Sequence, residues 1–315
     1  MRSYTLIAPG KINLYLEIIG DRPDGYHELV MILQSIDLAD RLEIRSLGTQ
    51  EIRLHCNHPL VPLNETNLAY RAAQLMMEEF PQAYANYGGV DITLDKKIPI
   101  AAGLAGGSTD GAAVLVGLNL LWELGLTIPK LQNLGEKLGS DIPFCISGGT
   151  AIATGKGETL DAIQDLDNLW IVLAKYQNVS VSTPWAYQTY KQEFEDTYTK
   201  DLKNIQSRSS QIHSGPLVKA ISHQNLEQIG KLLHNDLEKV VLSQYPQVAQ
   251  LREILQQAGG VGTMMSGSGP TIFTLCNSKQ EAEKIKQKAR QAIEDPNLEF
   301  WITTLSTTGI QVVSV

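Results

Sequence analysis

The chain has 315 residues, 43% of them hydrophobic and 19% charged, enough apolar material for one large or two medium globular domains. Its 34 acidic against 26 basic residues leave a net charge of −8. That argues against a general nucleic-acid binder or a protein held on anionic membranes, because both gain affinity from basic surface, whereas a small anionic ligand needs only local positive potential.

In chain order, Ile12, Leu14, Leu16 and Ile18 alternate with Asn13, Tyr15 and Glu17, the pattern of a half-buried strand. A turn-rich break, Asp21-Arg22-Pro23-Asp24-Gly25, follows, and strand-like pieces resume at 29–33, 41–44 and 52–54. Asn64 to Asn67 open a helix running to about Phe80, with Leu68, Ala72, Leu75 and Met76 at helical spacing. Residues 90–94 return to period two. The Ala- and Leu-rich stretch from Thr109 to Glu123 predicts a long helix buried on much of its circumference. A second helix spans Pro129 to Leu138, with proline at its start and Gly139 at its end. Strands are expected at 150–153 and 169–173, a polar and loosely helical excursion at 191–210, and helices at 225–238 and 247–258. A strand at 271–275, a charged helix at 279–294 and strands at 300–304 and 310–315 complete the chain. This order gives an α+β fold of two lobes, 1–162 and 163–315.

The three cysteines, Cys56, Cys145 and Cys276, are odd in number and widely spaced, which fits a reducing compartment rather than a disulfide framework. His55-Cys56-Asn57-His58 invites a metal reading, but adjacent ligands do not match zinc spacings and no second cluster completes a set. The N-terminal segment lacks the pattern of a signal peptide, and no apolar run approaches the ~20 residues of a membrane helix. A cytoplasmic, soluble protein is expected.

Four segments carry the chemistry. In Ile98-Pro99-Ile100-Ala101-Ala102-Gly103-Leu104-Ala105-Gly106-Gly107-Ser108-Thr109-Asp110, glycines free the backbone to converge its N–H groups, hydroxyls follow, and a helix begins. No lysine follows the glycines, so this is not the Walker loop. It is either a phosphate cradle of another kind or a glycine turn with a Ser/Thr helix cap. The two alanines at 101 and 102 are not expected to adopt positive φ. A second loop, Ser266-Gly267-Ser268-Gly269-Pro270, is a turn by itself but gains weight if it faces the same ligand. Lys11 and Asn13, two residues apart, share a strand face; alone, such a lysine is more commonly an exposed strand end. Asp141, in Gly139-Ser140-Asp141-Ile142-Pro143-Phe144, reads either as a helix cap or as a base that accepts a hydroxyl proton.

Taken together, APGKINLYLEIIGDRPDGYHEL at 8–29, IPIAAGLAGGSTDGAA at 98–113, LGSDIPF at 138–144 and SGSGPTIF at 266–273 resemble the galactokinase–homoserine kinase–mevalonate kinase–phosphomevalonate kinase (GHMP) superfamily over nearly the whole chain. Asn13 with Asp24-Gly25-Tyr26-His27 is similar to its branch that acts on cytidine diphosphate-linked methylerythritol. The resemblance implies an N-terminal lobe like ribosomal protein S5, a ferredoxin-like C-terminal lobe and a site in the cleft between them. It implies ATP with Mg2+, and transfer of the γ-phosphoryl to the 2-hydroxyl of the methylerythritol moiety, a step towards isoprenoid precursors. Under it Asp141 is the base with Lys11 beside it. Pro99, Ile100, Ala101, Ala102, Gly103, Leu104, Ala105, Gly106, Gly107, Ser108 and Thr109 hold the ATP phosphates, with Ser108 near the metal. Asn13, Tyr26, His27, Thr183 and Tyr187 meet the substrate, Tyr187 being preferred to Trp185 as the second face of a cytosine sandwich. No acidic residue stands out as a dedicated magnesium ligand. The resemblance leaves two other readings: a homoserine- or mevalonate-type kinase, and a nucleotide-binding regulator without turnover. A monomer or weak homodimer is expected.

Overall fold

The computed structural model describes residues 2–167, 169–199, 207–208 and 210–313. Two sheets organise it. Strands β1 (Ser3–Asp21) and β2 (His27–Ser46) form a long antiparallel ribbon closed by the 22–26 turn. Its outer half continues through β3 (Ile52–Cys56) and β4 (Val90–Asp95) in the order β2-β4-β3. Its inner half pairs with β5 (Thr150–Gly155), which pairs with β6 (Thr159–Ala162). The second sheet has the order β11-β7-β10-β9, from β7 (Trp170–Tyr176), β9 (Gly262–Met265), β10 (Ile272–Cys276) and β11 (Leu298–Thr304). The chain crosses back twice: β8 (His234–Asn235) pairs with β1 in parallel, and β12 (Gln311–Val313) pairs with the start of β1.

Helices α1 (Leu68–Glu79), α2 (Pro81–Tyr87), α3 (Gly106–Leu121), α4 (Ile128–Glu136) and α5 (Ile142–Ser147) belong to the first half. The second half carries α6 (Thr183–Phe194), α7 (Pro216–Ser222), α8 (Leu226–Leu232), α9 (Glu238–Gln244), α10 (Pro246–Ala258) and α11 (Lys279–Ala292). Asn67 caps α1 by accepting from the Ala69 N–H at 2.8 Å. Helix α3 is buried on most sides, between α1 and the β1–β2 ribbon, as its all-round apolar composition requires. Leu6, Ile44, Leu94, Ala72 and Leu115 meet there in one core. A second core joins Leu16, Met31 and Phe144 of the ribbon side to Val172, Leu255 and Ile285 of the second sheet and its helices. The lobes therefore share buried apolar surface, and each such side chain contributes about 1.5–3 kcal/mol.

Several sequence expectations shift. The separate strands at 29–33 and 41–44 are one strand, β2, because residues 29–36 are buried on both faces and show no alternation. Helix α3 starts at Gly106, not Thr109: tertiary packing outweighs the low helix propensity of two glycines. The helix expected over 225–238 is broken at 233–237 by the β8 pairing. Of the excursion at 191–210, residues 200–206 and 209 lie outside the described residues, as do 314 and 315 of the last expected strand.

Candidate active site

A cleft of about 1100 Å³ opens between the two sheets, and the sequence motifs converge on it. Lys11 reaches it through irregular backbone: the β1–β2 register shifts between Pro9 and Lys11 and again between Asn13 and Tyr15. Such bulges re-aim side chains beside sites. Lys11 is buried, not an exposed strand end. Its Nζ donates to Asn13 Oδ1 at 2.8 Å and lies 3.7 Å from Asp141 Oδ2. Asp141 precedes α5 in the cap position, yet its side chain makes no capping bond. Its carboxylate stays 34% exposed, while the Lys11 side chain is 6% exposed.

The cleft wall between residues 99 and 110 is formed by Pro99 to Gly103, Ala105 to Gly107 and Asp110. Leu104 and Thr109 turn into the interior, and Ser108 is half-buried on the first turn of α3. The Leu104 carbonyl accepts the Lys11 backbone N–H at 3.1 Å, tying the loop to β1. The path needs left-handed backbone at Ala101 (φ 50), Gly103 (φ 73) and Ala105 (φ 58). Ala101 thus takes the positive φ that its side chain disfavours, at a cost of about 1–2 kcal/mol per alanine in that region.

The second glycine loop interlocks with the first. A Cβ at Gly103 would overlap the Ser266 carbonyl oxygen, and one at Gly267 would come within 3.3 Å of Asn13 Oδ1 and 3.6 Å of Lys11 Nζ. Ser266 Oγ donates to the Gly103 carbonyl at 3.0 Å. Asn235, on β8, donates from Nδ2 to the carbonyls of Met265 (2.9 Å) and Gly267 (2.8 Å), so the strand that pairs with β1 also holds this loop. Thr183 Oγ1 and Ser268 Oγ lie 2.8 Å apart, linking α6 to this loop.

At the far end of the cleft Tyr26, His27 and Tyr187 gather. His27 and Tyr187 stack at 5.3 Å with 16° between ring planes, and Tyr198 meets His27 edge-on at 6.0 Å. Burial lowers the His27 pKa below its ordinary value, although Asp21, 3.2 Å away, opposes the shift. Burial also raises the Tyr187 hydroxyl. Tyr26 is 57% exposed on the rim, with Lys156 Nζ 5.4 Å from its ring centre. Trp185 points elsewhere, edge-on to Tyr245 at 5.8 Å.

Sequence reasoning missed a buried ionic set beneath the loop. Lys96 Nζ contacts Asp40 Oδ2, Asp110 Oδ2 (2.5 Å) and the Gly106 carbonyl (3.2 Å). Asp40 Oδ1 also accepts the backbone N–H groups of Lys97 (2.6 Å) and Ile98 (2.9 Å). Burial pushes the Asp110 carboxyl up to about 7, against the pull of Lys96. The only local signal was position: Lys96 precedes the glycine stretch and Asp110 ends it. Asn57, from the segment that invited a metal reading, instead accepts the Lys96 backbone N–H at 2.9 Å. Among the described residues no helix is long and apolar enough to cross a membrane.

Residues 67–149 match the GHMP kinase N-terminal domain and 217–295 the GHMP kinase C-terminal domain. The 4-diphosphocytidyl-2-C-methyl-D-erythritol kinase of Gloeothece citriformis (strain PCC 7424) is 68% identical over 312 residues, 99% of each chain. A crystal structure of a 4-(cytidine 5'-diphospho)-2C-methyl-D-erythritol kinase superposes with a TM-score of 0.72 at 31% identity, covering 96% of this chain and 99% of that one. The homoserine kinase of Cytophaga hutchinsonii superposes with a TM-score of 0.76 at 19% identity over 99% of this chain and 98% of that one, a likeness of fold.

Proposed function

Because the chain belongs to the 4-diphosphocytidyl-2-C-methyl-D-erythritol kinase family of the GHMP kinases, we propose that its cleft transfers the γ-phosphoryl of ATP to the 2-hydroxyl of 4-diphosphocytidyl-2-C-methyl-D-erythritol. The observation that carries this is Asp141 facing Lys11 in the same cleft as the 98–106 loop. A tertiary alcohol is a poor nucleophile, so a carboxylate must take its proton as the P–O bond forms. Asp141 is the base: it is half open to the cleft and its oxygens are not committed to a helix cap. Lys11 orients it and stabilises charge that develops during transfer. The glycine loop and the start of α3 bind the phosphates through backbone N–H groups and the helix dipole.

Asn13, Tyr26, His27, Thr183 and Tyr187 form the acceptor side. Tyr187 rather than Trp185 is the second aromatic face for cytosine, since Tyr187 lines the cleft with Tyr26 and Trp185 packs on Tyr245. The residues fit magnesium as an ion carried in with the nucleotide: Ser108, half-buried on the first turn of α3 next to the wall residue Gly107, offers a hard hydroxyl oxygen without itself forming the cleft wall, and no three His, Cys, Asp or Glu among the described residues gather into a cage. Bound there, magnesium would neutralise phosphate charge. We read residues 1–162 as the nucleotide-binding lobe and 163–315 as the second lobe, with β8 and β12 reaching back to the first sheet.

The test is ADP release with ATP, magnesium and each candidate alcohol. Turnover is expected with the cytidyl substrate. Turnover of homoserine or mevalonate alone would sink the assignment, and ATP binding without any turnover would favour a regulatory protein.

A further inference from the structure

A buried lysine beside a phosphate-binding loop invites reading as a phosphate ligand. Lys96 does not fit that role. An ammonium has three N–H donors, and all three are spent, on Asp40, Asp110 and the Gly106 carbonyl. The partners are fixed to the two ends of the loop. Asp40, on β2, grips the loop's entry by accepting the N–H groups of Lys97 and Ile98. Gly106 and Asp110 belong to the first turns of α3, the loop's exit. The ammonium is thus a bolt between the two ends of the stretch that holds Ala101 and Ala105 in left-handed backbone.

We propose that Asp40, Lys96 and Asp110 are positioning residues that hold the 97–106 loop in its ATP-binding shape before ATP arrives. This rests on the reading of that loop as the ATP site. Two alanines with positive φ would relax towards ordinary angles if either end were released. Ordering the loop would then have to occur during binding, and its cost would appear in ATP affinity. The acceptor side feels less of this: Asn13 and Asp141 are positioned by β1 and α5, and Lys11, although its backbone N–H also reaches the Leu104 carbonyl of the loop, is held on β1 by pairing with Ser35 of β2.

Asp110→Asn and Asp40→Asn are the informative variants. Asp110→Asn leaves one ammonium balanced by one carboxylate, so no uncompensated charge is buried. Asp40→Asn puts an amide where two backbone donors and an ammonium all need an oxygen. ATP binding is measured by titration calorimetry at pH 8, with steady-state kinetics alongside. The expected result is a Kd for ATP weakened about tenfold in Asp110→Asn and more in Asp40→Asn, tenfold being about 1.4 kcal/mol. The KM for the alcohol and kcat at saturating ATP should stay within about threefold. Should Asp40→Asn fail to fold, Asp110→Asn alone decides. Tighter ATP binding in Asp110→Asn would mean that a freed Lys96 is a phosphate ligand, and unchanged ATP affinity with a lowered melting temperature would mean that the set is structural only. Either overturns the proposal. Wild-type protein that binds no ATP would instead remove the reading on which it rests.

Discussion

Lys11 and Lys96 are both buried, and both lie against the same glycine-rich loop, yet they are wired in opposite ways. Lys96 has its three donors saturated and two fully buried carboxylates around it. Lys11 spends one donor on Asn13, and its carboxylate partner stands off at 3.7 Å, partly open to the cleft. The contrast separates structure from chemistry better than burial or charge does. A saturated ammonium has nothing left to give a ligand. An ammonium with spare donors beside an uncommitted carboxylate can respond to one. The second glycine loop belongs to the Lys11 side, since Gly267, in left-handed backbone (φ 56), packs so that an added Cβ would sit tightly at 3.3 Å from Asn13 Oδ1 and in contact with Lys11 Nζ.

The largest expected effect tests the open pair. Asp141→Asn should lower kcat about 10²–10⁴-fold, the usual range for losing a general base, while the Kd for ATP stays within about threefold. Retained full activity would refute the assignment of Asp141 as base. The two lysines should then diverge. Lys96→Met leaves two carboxylates buried around a missing cation and should cost about 3–5 kcal/mol of folding stability, read by chemical denaturation. Lys11→Met should cost much less stability, because water reaches Asp141, but at least tenfold in kcat/KM. Equal stability losses in the two variants would erase the distinction.

Much of this site was legible in the sequence, and the part that was not has a physical reason. Lys11, Asn13, Asp141 and the two glycine loops lie in short contiguous stretches whose local chemistry announces them. The contact between the loops, Ser266 Oγ on the Gly103 carbonyl, joins residues 163 positions apart, so no local periodicity marks it. The Asp40–Lys96–Asp110 set spans 70 positions, and each member looks like a surface charge until β2, β4 and α3 bury it. The positive φ at Ala101 was masked likewise, since a rule about residue type cannot include a clamp elsewhere in the chain that offsets the strain.

The cleft's far end sharpens the same contrast with side chains that stack instead of pairing. Tyr187 faces the cleft and Trp185 does not. Base–aromatic stacking contributes about 1–3 kcal/mol, so Tyr187→Ala should raise the KM for the cytidyl substrate about tenfold or more with the KM for ATP unchanged. Trp185→Ala should leave both constants alone. The opposite pattern would move the cytosine site to Trp185.

A third lysine–carboxylate pair sets the lower end of the scale. Asp236 is buried, but its partner Lys239 (2.8 Å) is half in water. Asp236 Oδ2 also accepts the Ile18 N–H at 2.9 Å, and Oδ1 lies 3.2 Å from His234 Nε2. Burial alone would raise this carboxyl; the hydrogen bonds from His234, Lys239 and Ile18 outweigh it and take the pKa from 3.8 down to about 2. A carboxyl more acidic in the folded state binds fewer protons there than in the unfolded chain, so its stabilisation is complete above about pH 4 and fades as pH falls towards 2. With solvent at Lys239, the effect should amount to about 1–2 kcal/mol. Asp236→Asn should therefore be less stable than wild type by that margin at pH 6, and the gap should close as both are titrated to pH 2. A gap that persists unchanged to pH 2 would mean that the loss does not come from the ionised carboxyl, and would leave Lys239 a bystander.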